Sequence, residues 1–557
     1  MTKLKEIDIL ETLKSPNDYE VFTKPDVADT LLKLLPDEIW KSKNLKNLKF
    51  LDPGSKSGVF LREIVKKLYK ELKGTIENDC ERLKHILCNQ VYGIGITTKT
   101  EIITRRTVYA TRFASNRLPI LNGPCSRSYP NKCNSKTITC KRNIGTDECL
   151  SGYGYRLGNV CSVNKSYNDK TNSHDMCDKL FEHDAGNIVN RTYKHTYGKD
   201  GKCIYCGMKE DDKHVYPFIH DDIKTIFGGV DMKFDVIIGN PPYQVSDGGH
   251  KSSASPIYHK FVTRAIKLSS QYVIMVIPNR WFAGGKGLDE FRKYMINNKH
   301  IKRLDDYPDS SIIFPDVDNA GVCYFLIDKK YQSDIVEFVS HYADNNSHTM
   351  NRKLDPFNQG IVFRNNESIS IYEKVINKWN GKFLFTNKNN SIVSQNAPFG
   401  IRSNGIWHDN MTTNDIKIYR RNGTSYINKI DIKKNHNLIN KWKVLVPTIG
   451  TKSGEYNDQV IYKPTIAEPN SICSETYSVN KSFDTKQEAE YHVSYIWTRF
   501  FRFMVSLKKV SQNGSRKVYQ FVPNMPANHY YTDKYLYNYF GLTQEEIDYI
   551  EKMIRKW

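Results

Sequence analysis

The chain has 557 residues, 26% charged and 39% hydrophobic, with a formal net charge of +21. That length exceeds one hydrophobic core and implies two or three domains. The composition excludes a disordered chain, and no apolar run approaches the roughly 20 residues of a membrane span. The N-terminus, Met-Thr-Lys-Leu-Lys-Glu-Ile-Asp, has no apolar leader core, so a cytoplasmic protein with no membrane partner is expected.

The first 110 residues read as α/β. Thr23-Lys24-Pro25-Asp26 predicts a helix start, with Thr as the cap and Pro in the first turn, and Val27, Leu31, Leu32 and Leu35 on the buried stripe. Leu48 to Leu51 predicts a strand entering the turn Asp52-Pro53-Gly54-Ser55-Lys56-Ser57-Gly58, after which Val59 to Tyr69 has helical spacing. Strand, Gly/Ser turn and helix form the first step of a Rossmann-like sheet, with glycines letting a ligand approach the backbone at a helix N-terminus. Leu87 to Ile96 predicts the second strand.

From about 121 to 210 the periodicity disappears, and Cys125, Cys133, Cys140, Cys149, Cys161, Cys177, Cys203 and Cys206 fall among Gly, Asn, Ser and Tyr. The region reads as a Cys-rich insertion outside the sheet. In a chain expected to be cytosolic, metal or burial outweighs disulfides. Cys203-Ile204-Tyr205-Cys206-Gly207 has the spacing of a metal knuckle, and a structural zinc on Cys203, Cys206, His195 and Cys177 is expected; His183 and His214 are the other neighbours in sequence.

Asp235 to Gly239 is short, apolar and β-branched, as in a central parallel strand, and it ends in Asn240-Pro241-Pro242-Tyr243. Two prolines continue neither a ladder nor a helix, so the backbone exposes its polar groups at the strand's carboxyl end. An Asn amide oxygen and a free carbonyl can together accept both hydrogens of a planar amino group, and Tyr243 offers a ring to stack on its carrier. A helix around Ile257 to Leu268, a strand over Tyr272 to Ile277, a helix at Leu288 to Met295 and strands at Ile301–Asp305 and Gly321–Ile327 close the unit near residue 330.

Residues 331–540 alternate short strands with polar loops and read as a separate, mixed α+β domain. Residues 371–530 hold 23 Lys+Arg against 11 Asp+Glu, interleaved with aromatic residues. Basic and stacking side chains together favour a nucleic-acid partner. Thr543-Gln544-Glu545-Glu546 is a capping box, and Ile547, Ile550, Ile554 and Trp557 share a face, predicting a docking helix over 541–557.

These motifs resemble those of the gamma class of DNA adenine amino-methyltransferases, the methylases of type II restriction-modification systems. Asn240-Pro241-Pro242-Tyr243 resembles the class's catalytic turn, and Phe50 to Leu61 its S-adenosylmethionine loop, with Lys56 in place of the usual central Gly. Glu20-Val21-Phe22-Thr23-Lys24-Pro25 resembles the upstream cofactor motif with one residue inserted. The resemblance implies a Rossmann-like catalytic domain at 1–120 and 211–330, the insertion at 121–210, a target-recognition domain at 331–540, and double-stranded DNA and a cognate restriction endonuclease as partners. It implies that S-adenosylmethionine is held by Phe22, Thr23, Asp52, Pro53, Gly54, Ser57, Gly58, Phe60, Asp222 and Asn240. It further implies that a flipped adenine is held by Asn240, Pro241, Pro242, Tyr243 and Phe314, with Pro278 to Phe282 lining the same cleft. The acid that would close the second strand on the ribose is absent from Gly93-Ile94-Gly95-Ile96-Thr97, leaving Glu101 as its substitute or the ribose held otherwise.

Three other readings compete. A methylase–nuclease fusion needs a nuclease domain, and no Pro-Asp…Glu-x-Lys signature is evident. A protein-glutamine methyltransferase also presents a planar amide to such a turn, but such enzymes are small and do not need a further basic region of some 230 residues. A non-catalytic DNA-binding specificity subunit is favoured only if Lys56 and Gly95 have destroyed cofactor binding.

Overall fold

The computed structural model describes Leu10 and residues 21–109, 187–190, 193–207, 215–228, 232–246, 254–284, 287–315, 320–342, 344, 346–387, 389–403, 405–451, 458–509 and 513–557. Most of the Cys-rich segment, including Cys177, His183 and His214, lies outside the described residues.

Eleven strands build the N-terminal part: β1 Phe50–Ser55, β2 Val91–Gly95, β3 Ile188–Val189, β4 Phe234–Gly239, β5 Gln244–Ser246, β6 Ala254–Pro256, β7 Ser269–Pro278, β8 Ile301–Asp309, β9 Ala320–Asp328, β10 Val336–His341 and β11 Ser347–Arg352. Nine of them form one sheet in the order β11-β10-β8-β9-β7-β4-β1-β2-β3, while β5 and β6 pair as a separate hairpin. β9 runs antiparallel between β7 and β8, and β11 antiparallel to β10; the other pairings are parallel.

The continuous apolar runs of the central strands are explained by burial on both faces. β7 places Tyr272, Ile274 and Val276 in one core and Val273, Met275 and Ile277 in the opposite one. Helices Pro25–Leu32 and Val59–Glu71 cover the first face through Leu31 and Ile64; helices Tyr258–Leu268 and Asp289–Ile296 cover the second through Phe261 and Met295. Each such fully buried aliphatic side chain stabilises by about 1.5–3 kcal/mol relative to exposure.

Three sequence expectations change. The sheet does not end near residue 330, because β10 and β11 add to it beyond β8. The segment read as lying wholly outside the sheet contributes its edge: Ile188 and Val189 pair with Gly93 and Ile94. Two residues are too short to show a period. Thr23 does not cap the first helix; with Pro25 at its first position, Lys24 takes the cap place and no side chain caps it.

Beyond 352, Leu354 and Val362 still pack into the second core of the large sheet, and the rest gathers around two further cores. One gathers Phe500, Phe501 and Phe503 with helices Glu367–Lys378, Lys486–Trp497 and Asp533–Phe540. The other lies between two three-stranded sheets and contains Ile416, Ile418, Leu445 and Ile472. The capping box at Thr543 forms with Glu546, Ile550 and Met553 are buried, and Lys374 Nζ meets Glu546 at 2.6 Å. The helix ends at Met553, so Ile554 is buried just beyond it and Trp557 lies 4.2 Å beneath Arg502. Among the described residues no helix is long and apolar enough to cross a membrane.

Candidate active site

From β1 the chain moves outward to β2 and β3, then returns to β1's other side as β4 and continues to β7. The direction of winding reverses between β1 and β4, and in an open parallel sheet the crevice beyond such a pair of strand ends is where a ligand fits. The Asp52 turn leaves the end of β1 and Asn240 follows β4, so the sheet brings the two motifs together. A Cβ on Gly54 would stand 3.5 Å from both Pro241 and Pro242, which puts the two turns in contact.

The glycines permit this approach. Gly58 adopts φ +75° at the start of helix Val59–Glu71, and a Cβ there would come within 3.0 Å of Thr104. A Cβ on Gly239 would lie 2.8 Å from Asp52 Oδ1, so any larger residue would push the carboxylate away. Asp52 accepts the Gly54 N–H at 3.2 Å. Burial is the largest influence on its carboxyl and raises the pKa to about 7, against the opposing pull of Gly54, Ser55 and Lys56.

Asn240 is held by the chain segment that precedes the first helix. Its Nδ2 donates to Thr23 Oγ1 at 3.1 Å and to the Val21 carbonyl at 3.4 Å. That fixes the amide's orientation and leaves Oδ1 buried with no donor at bonding distance. A buried acceptor left unmet costs about 1–3 kcal/mol, so its presence at a strand end is a sign of function rather than of stability. Lys56 Nζ donates to the same Val21 carbonyl at 3.1 Å and lies 5.7 Å from the centre of the Tyr243 ring. Tyr243 and Phe314 are buried in one core, and burial drives the Tyr243 hydroxyl well above its ordinary range.

Between the turns lies a nearly closed cavity of about 10 Å³ lined by Val21, Thr23, Asp52, Lys56, Gly58 and Asn240, with Gly54, Ser57 and Phe60 also on its wall. That is below the roughly 300 Å³ of ordinary small-molecule sites. The glycine turn, the N-terminus of a 13-residue helix, the buried carboxyl and the orphaned amide oxygen are groups that suit a nucleoside-type ligand, and Lys56 is the one long, flexible side chain on the wall.

Other expected residues stand outside this cavity. Phe22, Pro53 and Asp222 are not on its wall. Asp222 caps the turn Ile223–Ile226 by accepting the Thr225 N–H at 2.6 Å, and the Thr225 N–H and hydroxyl hold its carboxyl below the usual range. Glu101 is buried against Gly95 at the end of β2, where its carboxylate meets Arg105 Nε at 3.0 Å. Of Pro278 to Phe282, Trp281 and Phe282 turn away from the cleft: they fill the core on the sheet face opposite Tyr243, because the helical turn after β7 folds onto that face. Two contributors hold Asn240 in a way the sequence does not signal. Val21 acts through a backbone carbonyl, and Thr23, assigned to the cofactor, reaches Asn240.

A second cluster lies away from this cavity. His195, Cys203, Cys206 and His220 bring one donor atom each to within 4.8 Å of one another, with Cys203, Cys206 and His220 buried. Cys177, the fourth residue expected there, is outside the described residues, and His220 stands in the cluster instead.

The profile of the Eco57I restriction-modification methylase family matches residues 89–314. A Mycoplasma pneumoniae protein described as an uncharacterized adenine-specific methylase is 31% identical over 366 residues, covering 59% of this chain and 74% of its own length. Among solved structures, the ATP-dependent Type ISP restriction-modification enzyme LlaBIII bound to DNA aligns with a TM-score of 0.47 at 10% identity, over 88% of this chain and 38% of that one. The DrdV–DNA complex aligns with a TM-score of 0.46 at 9% identity, over 90% of this chain and 56% of that one. The chain thus spans well under two thirds of either solved chain.

Proposed function

Because the chain belongs to the adenine-specific methylase family of restriction-modification systems, we propose that it transfers a methyl group from S-adenosylmethionine to the 6-amino group of an adenine in double-stranded DNA. The observation that carries this reading is the unmet Asn240 Oδ1, fixed by Thr23 and Val21 beside the Asp52 turn. Asp52, Gly54, Ser57, Gly58, Phe60 and the Phe22-Thr23 segment would hold the cofactor, with Asp222 at its far end. When bound, the cofactor supplies the methyl group as an electrophile on sulfur.

An amino group within a stacked duplex is out of reach, so the base is taken out of the helix. Asn240 Oδ1 and the Pro241 carbonyl accept its two hydrogens, drawing nitrogen lone-pair density toward the methyl donor. Pro241 and Pro242 keep that backbone out of the sheet ladder, and Tyr243 and Phe314 flank the ring. The amine becomes acidic only as it is methylated, so no strong base acts first and catalysis is positioning and electrostatics. Lys56 must swing off Val21 for the cofactor to enter, which couples cofactor binding to the segment that clamps Asn240.

The excess of 12 positive charges over residues 371–530 supports a duplex partner. So does an open cleft of about 690 Å³ in that region, whose wall carries Arg421 and Arg420, the latter 4.5 Å over the Trp407 ring. The family supports a cognate restriction endonuclease as a functional partner. The test is mass spectrometry of duplex DNA incubated with protein and cofactor: methyladenine is expected, and methylcytosine or no modified base would overturn the proposal.

A further inference from the structure

We infer that His195, Cys203, Cys206 and His220 form a tetrahedral site for a structural zinc ion that fastens the end of the Cys-rich segment to the helical turn before β4. The distances carry the inference. Cys206 Sγ lies 3.4 Å from His195 Nδ1, and Cys203 Sγ lies 3.5 Å from His220 Nε2. With Zn–S of about 2.3 Å and Zn–N of about 2.0–2.1 Å, the sulfur–nitrogen edge of a tetrahedron is about 3.5 Å. Two thiols and two imidazoles are the donors that select zinc over magnesium or calcium.

The backbone is built for the site. A hairpin pairs Tyr197 with Cys203, turns at Gly201 (φ +68°), and carries His195 at the foot of one arm and the cysteines on the other. Gly207, at φ +79°, donates its N–H to the Cys203 carbonyl at 2.7 Å and closes the knuckle. His220 ends the turn Pro217–His220 and is oriented from behind: its Nδ1 lies 2.8 Å from the Tyr216 carbonyl, which can only accept. Nδ1 therefore carries the proton and Nε2 presents a lone pair to the cluster, the arrangement that second-shell contacts impose on ligating histidines.

The site's position gives it a task. Asp221 and Asp222 directly follow His220, and Arg264 of helix Tyr258–Leu268 holds the Asp221 carbonyl. Lys260 of the same helix donates to the Tyr205 carbonyl inside the knuckle. A filled site thus fixes the Asp221-Asp222 turn. That consequence rests on the proposed cofactor role of Asp222, whereas the site itself does not.

The test is the metal content of the full-length protein, grown with zinc and passed over a desalting column, measured by plasma mass spectrometry. About one zinc per chain is expected. His220→Ala should weaken zinc binding by at least on the order of 100-fold, since outer-shell losses alone cost 10–100-fold, and Cys177→Ala should leave it unchanged. His220→Cys guards against a misfolded alanine variant: it should keep the ion, and its cobalt-loaded form should show stronger thiolate-to-cobalt absorption than cobalt-loaded wild type. Zinc-free wild type, full zinc affinity in His220→Ala, or unaltered cobalt absorption in His220→Cys would overturn the site whatever the protein methylates.

Discussion

Replacing Asp52 by Asn isolates what the buried carboxyl costs the fold. Asparagine keeps an oxygen for the Gly54 N–H but removes the titrating proton. Asp52 has an ordinary pKa of 3.8 and a folded value of about 7. Below pH 4 both states hold the proton and the residue contributes no pH dependence. Between pH 4 and 7 the unfolded chain has lost it and the folded chain has not, so stability falls as pH rises; above 7 the loss is complete. One pKa unit corresponds to 1.36 kcal/mol, so the full loss is about 4 kcal/mol, with less than half of it reached by pH 5. Urea titrations of wild type and Asp52→Asn from pH 4 to 8 should therefore diverge, the variant gaining on wild type as pH rises. Parallel curves would show that Asp52 ionises freely in the fold and would refute its burial at the cofactor turn.

Thr23→Val removes the hydroxyl that orients Asn240; about 1–1.5 kcal/mol of hydrogen bond should appear as a roughly tenfold fall in single-turnover methylation at saturating cofactor, and full transfer under that condition would contradict the clamp. Gly239→Ala forces a Cβ to within 2.8 Å of Asp52 Oδ1 and should weaken cofactor binding by about tenfold or more in calorimetry while the circular dichroism stays native; wild-type binding would show the turns lie further apart. Lys56→Gly clears the cavity and removes a buried cation from the site of a cationic cofactor, so affinity should rise by roughly tenfold. An unchanged or weaker Kd would mean that Lys56 does not obstruct access.

The parts of this molecule legible in the sequence are those where one local pattern dictates one structure. The doubly buried run before Asn240 can only be a central strand, and the Gly/Ser turn after β1 can only lead into a helix that caps it. Thr543 with Glu546 marks a helix start with two reciprocal bonds. What stayed hidden depends on contacts between distant segments. Thr23 looks like a cap in its own tetrapeptide, yet Asn240, more than two hundred residues on, claims its hydroxyl. His220 lacks the short spacing that betrays Cys203 and Cys206, and only the fold of Pro217–His220 onto the knuckle reveals it. Trp281 and Phe282 follow a strand whose carboxyl end points toward the site, but a single helical turn sends them to the other face. β3 is too short for any periodic signal.

The account rests on Asn240 as the acceptor that holds the target amine. Its most direct test is methyl transfer to duplex DNA by Asn240→Ala beside calorimetry with S-adenosylmethionine. Transfer should fall by at least about a thousandfold, about 4 kcal/mol of transition-state stabilisation, while cofactor binding stays within a few-fold of wild type. Undiminished transfer would contradict it.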